Sequence, residues 1–78
     1  MKKFEELLKE GKVKAGDTLY CVECVTNDDK ENGLDIYVSN KENYIDDAEI
    51  ENKYNQDKNY KYIAIEYTVQ DDLSLMCI

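Results

Sequence analysis

The sequence predicts a small α+β domain, with a four-stranded, mainly antiparallel sheet, an N-terminal helix and a short middle helix, all within one domain over residues 1–78. Three observations predict it. Two runs, Thr18 to Thr26 and Tyr60 to Val69, are rich in β-branched and aromatic residues and long enough to cross a sheet. Phe4, Leu7 and Leu8 recur at helical spacing. The order α-β-β-α-β-β then suits helix packed on one face of an antiparallel sheet. A small open β-barrel with the N-terminal helix as its plug satisfies the same order.

Residues 2–10 read as an amphipathic helix. Glu5 and Lys9 form a favourable i, i+4 pair. Gly11 is the natural stop, with Lys9, Lys12 and Lys14 near the negative helix end. So short a helix is marginal alone and must dock through Phe4, Leu7 and Leu8. Ala15-Gly16-Asp17 is a turn signal.

In Thr18 to Thr26, one face carries Leu19, Cys21, Glu23 and Val25, and the other carries Tyr20, Val22 and Cys24. Only Glu23 interrupts them, which predicts a central strand covered on both sides. Asn27 to Gly33 is a polar loop. Leu34 to Ser39 alternates, with Leu34, Ile36 and Val38 inward, so the pair is a hairpin.

Residues 40–59 are too long for a structureless loop in a compact domain. Asp46 and Glu49 fit a D-x-x-E capping box, with Ile45 and Ile50 at the hydrophobic-staple positions, which predicts a helix from Asp47 to Tyr54. Tyr60 to Val69 is the clearest strand. Gln70-Asp71-Asp72 turns the chain, and Leu73 to Ile78 is a last short strand.

Eighteen acidic residues face ten lysines, for a net charge of −8, and the chain has no Arg, His, Trp or Pro. Phosphates repel such a chain, so direct binding to nucleic acid or to an anionic membrane is not expected. Phe4 to Glu10 is not the apolar run of a signal peptide, and no stretch approaches a membrane helix. Three cysteines make a closed disulfide framework unexpected. Together these point to a reducing cytoplasm.

Few motifs carry chemistry. Cys21-Val22-Glu23-Cys24 is a C-x-x-C, but a strand turns its two thiols to opposite faces. Cys77 makes a third thiol, and neither His nor a fourth Cys completes a zinc site. The cysteines are therefore expected to be reduced and structural, with no metal or other cofactor. Asp28 to Ser39 fails as a calcium loop, because Lys30 stands at a ligand position and Ser39 replaces the bidentate Glu. The acidic pairs lie in polar segments and no nucleophile has a base beside it, so no catalytic residue is assigned and no enzyme is expected.

Asp46, Asp47, Glu49 and Glu51 place four negative charges in six residues, flanked by Tyr44 and Tyr54. Asp28, Asp29 and Glu31, or Asp71 and Asp72, extend this into a negative ridge. The ridge and its two tyrosines are the candidate partner-binding residues, and the partner they fit is a basic protein surface. In size and charge alone the chain resembles compact acidic inhibitors carried by phages and mobile elements, including anti-CRISPR proteins. That resemblance implies occupation of a nucleic-acid-binding surface on a host protein. The alternative is a structural or regulatory subunit without nucleic-acid mimicry, which an exposed apolar patch would favour. Salt-sensitive capture of a basic partner would favour the first.

Overall fold

The computed structural model describes residues 1–28 and 34–78. The elements are β1 (Lys2–Lys3), α1 (Phe4–Lys9), β2 (Thr18–Thr26), β3 (Asp35–Val38), α2 (Tyr44–Tyr54), β4 (Tyr60–Val69) and β5 (Leu75–Cys77). Among the described residues the five strands form one open sheet in the order β1-β3-β2-β4-β5, with every pairing antiparallel. The α+β class stands, with a helix at the N-terminus and one in the middle. The strand number is corrected from four to five, and the alternative of a small open β-barrel gives way to an open sheet whose two outer strands, among the described residues, each pair on one side only.

The extra strand comes from Lys2 and Lys3, which pair with Val38 and Tyr37 instead of starting the helix. Lys3 explains the exchange. Its ammonium lies 3.3 Å from an Asp35 carboxylate oxygen and 5.8 Å from the centre of the Tyr37 ring, and both partners sit on β3. The helix therefore begins at Phe4. It ends as the sequence predicts: Gly11 takes a φ of 69°, and the N–H groups of Gly11 and Lys12 donate to Leu8 and Leu7. The helix docks on β1 and β3, at one side of the sheet, with Phe4, Leu7 and Leu8 half-buried.

The long β2–β4 ladder is the backbone of the molecule, running from Thr18 opposite Thr68 to Thr26 opposite Tyr60. β2 is central, as its two apolar faces require. Cys21 and Val25 are fully buried on one face, and Val22 on the other. Val13, between α1 and β2, joins Cys24, Ala48 and Val69 to complete the core among the described residues. Glu23 is the one buried polar side chain among the described residues, at 2% exposure, and it accepts a hydrogen bond from the Tyr67 hydroxyl on the neighbouring strand. Leu34 is exposed rather than inward, because β3 begins one residue later. At the far end, Leu73 sits in a turn with a φ of 65°, which shortens the last strand to Leu75–Cys77. The Asn27–Gly33 loop, with the Asp29 and Glu31 arm of the ridge and five of the twelve residues tested as a calcium loop, falls largely outside the described residues.

α2 lies over β4 and β2 and starts three residues earlier than the capping-box signal predicts. The Asn40 side chain accepts a hydrogen bond from the Asn43 N–H at 2.9 Å, and the Asn40 carbonyl accepts from Tyr44. The turn at 40–43 thus starts the helix, and Asp46 lies inside it. No helix among the described residues is long and apolar enough to cross a membrane.

The ladder alternation turns the odd-numbered backbone groups of β4 towards β2, and those of Tyr60 and Tyr62 away from it. β5 is too short to reach them. Two asparagines from the helical segment do so instead. Asn52 Nδ2 donates to the Tyr62 carbonyl at 2.7 Å while the Tyr62 N–H donates to Asn52 Oδ1 at 2.8 Å, and Asn55 Nδ2 donates to the Tyr60 carbonyl at 2.9 Å. Asn52→Ala removes a pair of hydrogen bonds worth about 1–2 kcal/mol together. Urea unfolding should report that loss, with Asn52→Asp, which keeps only the acceptor, losing about half. An unchanged midpoint in Asn52→Ala would mean that water replaces the pair at no cost.

Candidate functional site

α2 is the most acidic element of the chain, and its residues divide by angle. At 100° per residue, Tyr44, Asp47, Ala48, Glu51 and Asn52 fall on the half facing the sheet, and Ile45, Asp46, Glu49, Ile50, Lys53 and Tyr54 on the other. Burial follows the same division. Ala48 is buried, Tyr44, Asp47 and Glu51 are half-buried, and every residue of the outer half is exposed; Asn52, at the margin of the inner half, is exposed as well.

The six candidate residues therefore part into two groups. Tyr44 is turned to the sheet, its ring centre 5.3 Å from that of Tyr20 at a 56° tilt. Asp47 accepts a hydrogen bond from the Ser39 hydroxyl, which ties the first turn of the helix to the end of β3. Glu51 lies close enough to Tyr62 for its charge to help raise that phenol's pKa, behind the larger contributions of burial and of Cys24 and Tyr37. Asp46, Glu49 and Tyr54 form the exposed group. Lys53 lies 5.8 Å from the Tyr54 ring centre. Asp71 and Asp72 lie in the turn between β4 and β5. There the hydroxyl of Ser74, and next its N–H, hold the Asp72 carboxyl below its usual range.

Two residues of this surface escape the sequence reading. Ile45 and Ile50 are 55% and 53% exposed, and Tyr54 is 73% exposed. The staple positions set the two isoleucines against each other at the helix start; the helix presents both to solvent, because its earlier start moves Ile45 from the N′ position into the first turn. The available signal was the angle: Ile45 and Ile50 lie 140° apart and make no common stripe with Ala48. In its inward half the helix carries one alanine, one tyrosine and three polar side chains, the reverse of an ordinary surface helix.

The remaining reactive groups lie in the sheet. The β2 register sends Cys21 to the face shared with Ile65 and Val38, and Cys24 to the face shared with Tyr62 and Asp35. All three cysteines are free thiols. Burial, then the Glu23 charge, pushes the Cys21 thiol up to about 11. Burial, then the hydrogen bond to Glu23 and its charge, raises the Tyr67 phenol as well. These shifts make the groups less reactive near neutral pH. Among the described residues no group of three or more His, Cys, Asp or Glu side chains is placed to hold a metal ion.

No protein-family description, no curated protein and no solved structure matches the chain.

Proposed function

We propose that the chain is an acidic protein-interaction module that occupies a basic surface of another protein through the outer half of α2. The observation that supports this reading is the company its charges keep. Asp46 and Glu49 share the exposed half of α2 with Ile45, Ile50 and Tyr54. Solubility alone accounts for the acids and leaves three large apolar side chains in water. A complementary partner accounts for both: lysines or arginines meet the carboxylates, and an apolar cleft takes Ile50 and Tyr54, which stand four residues apart as surface neighbours. Tyr54 supplies contact area at low entropic cost. Asp47 and Glu51 add to the field from the flank, and Tyr44 sets the helix on the sheet.

A groove of lysine and arginine that otherwise holds a phosphate backbone has this chemistry. Occupying it makes the chain a competitive inhibitor of nucleic-acid binding, as the resemblance to phage and mobile-element inhibitors implies. Reducing cytoplasm is the compartment this reading assumes. The reading as a structural or regulatory subunit draws support from a different place, the exposed Met76 and Ile78 near the end of the chain.

Capture on the immobilised chain at low salt, with elution as salt rises, identifies the partner. Association kinetics then test the surface. Screening shortens the reach of the charges from about 30 Å at 0.01 M salt to about 10 Å at 0.1 M. Asp46→Lys with Glu49→Lys should slow association about tenfold or more at low salt and flatten its salt dependence, whereas Tyr54→Ala and Ile50→Ala should mainly speed dissociation. A correctly folded double-lysine variant with unchanged rate and salt slope would leave the ridge as a solvated surface only.

A further inference from the structure

We infer that the outer edge of β5 is a strand-addition surface, and that its occupant is the β5 of a second copy of this chain, joining two sheets into one about a two-fold axis. β5 ends the strand order, so one of its sides pairs with β4 and the other with no described strand. The Gln70 N–H donates to the Ser74 carbonyl at 2.8 Å and the Ile78 N–H to the Glu66 carbonyl at 3.2 Å. By the antiparallel alternation, the backbone groups of Ser74, Met76 and Ile78 face β4 and those of Leu75 and Cys77 face outward. Two N–H and two C=O groups in a row recognise an extended strand. A two-fold axis through Met76 sets Leu75 of each copy opposite Cys77 of the other, which uses all four of these groups on each chain.

Charge selects the occupant. Residues 73–78, Leu-Ser-Leu-Met-Cys-Ile, are the longest run of the sequence without Asp, Glu or Lys. A basic partner gains little attraction along so neutral an edge. Two copies, each carrying a net charge of −8, meet there with no charged side chain opposite another. The pairing also covers apolar surface, because Met76 is 57% exposed and Ile78 69%. The opposite edge of the sheet is β1, two lysines long, and charge of that kind keeps other strands away. β5 has no such guard.

Sedimentation velocity of the full chain over a concentration series tests the pairing. A monomer–dimer equilibrium is expected, strengthened by added salt as repulsion between the two acidic chains is screened. Met76→Lys places two ammonium groups directly opposite each other and should raise the dissociation constant about tenfold or more. In a Cys77→Ser background, Met76→Cys lies opposite its copy at a non-hydrogen-bonded position, where Cα atoms are about 4.5 Å apart. It should form an intermolecular disulfide with oxidised glutathione. The Met76 side chain is exposed and its backbone bonds to β4 survive both changes, so circular dichroism should match the parent. A chain that stays monomeric at every concentration and salt overturns the inference, even if it binds an added extended peptide. So does a dimer that Met76→Lys leaves unchanged, or one that Asp46→Lys with Glu49→Lys abolishes while Met76→Cys fails to cross-link.

Discussion

Tyr67→Phe is expected to cost about 2–4 kcal/mol of stability, although it deletes a single oxygen. The ring stays in place on β4; what goes is the hydroxyl that donates to Glu23. Glu23 is 2% exposed on the central strand, so water cannot readily take over the lost bond. Hydrogen bonds to charged groups contribute about 1.5–3 kcal/mol, and leaving a buried acceptor without its donor costs about 1–3 kcal/mol or more. A domain of this length has roughly 4–12 kcal/mol in all, so the loss is a large fraction of the total. Replacing both partners tells the pair apart from the site. Glu23→Met with Tyr67→Phe removes the need along with the donor, and should recover most of the loss. Urea unfolding of the two single variants and the double closes a mutant cycle, with a coupling of about 1–3 kcal/mol. A loss under about 0.5 kcal/mol in Tyr67→Phe would mean that solvent reaches the carboxyl.

Raising the pH from 8 to 11 should remove a further 2–3 kcal/mol, roughly, through Cys21 alone. Burial, then the Glu23 charge, lifts this thiol from 9.0 to about 11 in the folded chain. The unfolded chain releases the proton first. The stabilisation is therefore whole below pH 9 and is lost as pH rises to about 11, at about 1.36 kcal/mol per unit of difference. Tyr67 acts in the same direction above pH 10, because its phenol is also raised. Urea midpoints at unit steps of pH measure the decline. Cys21→Val keeps the volume and removes the proton, so its curve should be flatter between pH 9 and 11 by the Cys21 share. Identical slopes in the two proteins would exclude the thiol as the source.

The strands were legible where side chains alternate over a long run. Thr18–Thr26 and Tyr60–Val69 have the bounds their patterns predict, because nine cross-strand pairs reinforce one register. Elements held by single polar contacts were not legible. Lys2 and Lys3 carry no strand signal of their own and pair with β3 through Asp35 and Tyr37, more than thirty residues away. Val13 stands alone between two lysines and still enters the core. For α2 the acidic outer residues were readable from composition and the isoleucines beside them were not. Two competing start signals lie within a few residues, and the Asn40 turn prevails over the Asp46–Glu49 box. A wrong start rotates every later inference about which side chain faces out.

The helix that carries the proposed binding surface is attached by amides more than by oil. One buried alanine and one tyrosine tilted against Tyr20 are its apolar grip, and Asn52 and Asn55 hold its far end to the margin of β4. Such an attachment has its own free energy of detachment, smaller than that of unfolding the β2–β4 ladder. When the far end of α2 lifts, the backbone groups of Tyr60 and Tyr62 stand bare, and a bare strand margin is a template for foreign strands. Those two asparagines therefore act as a latch on self-association.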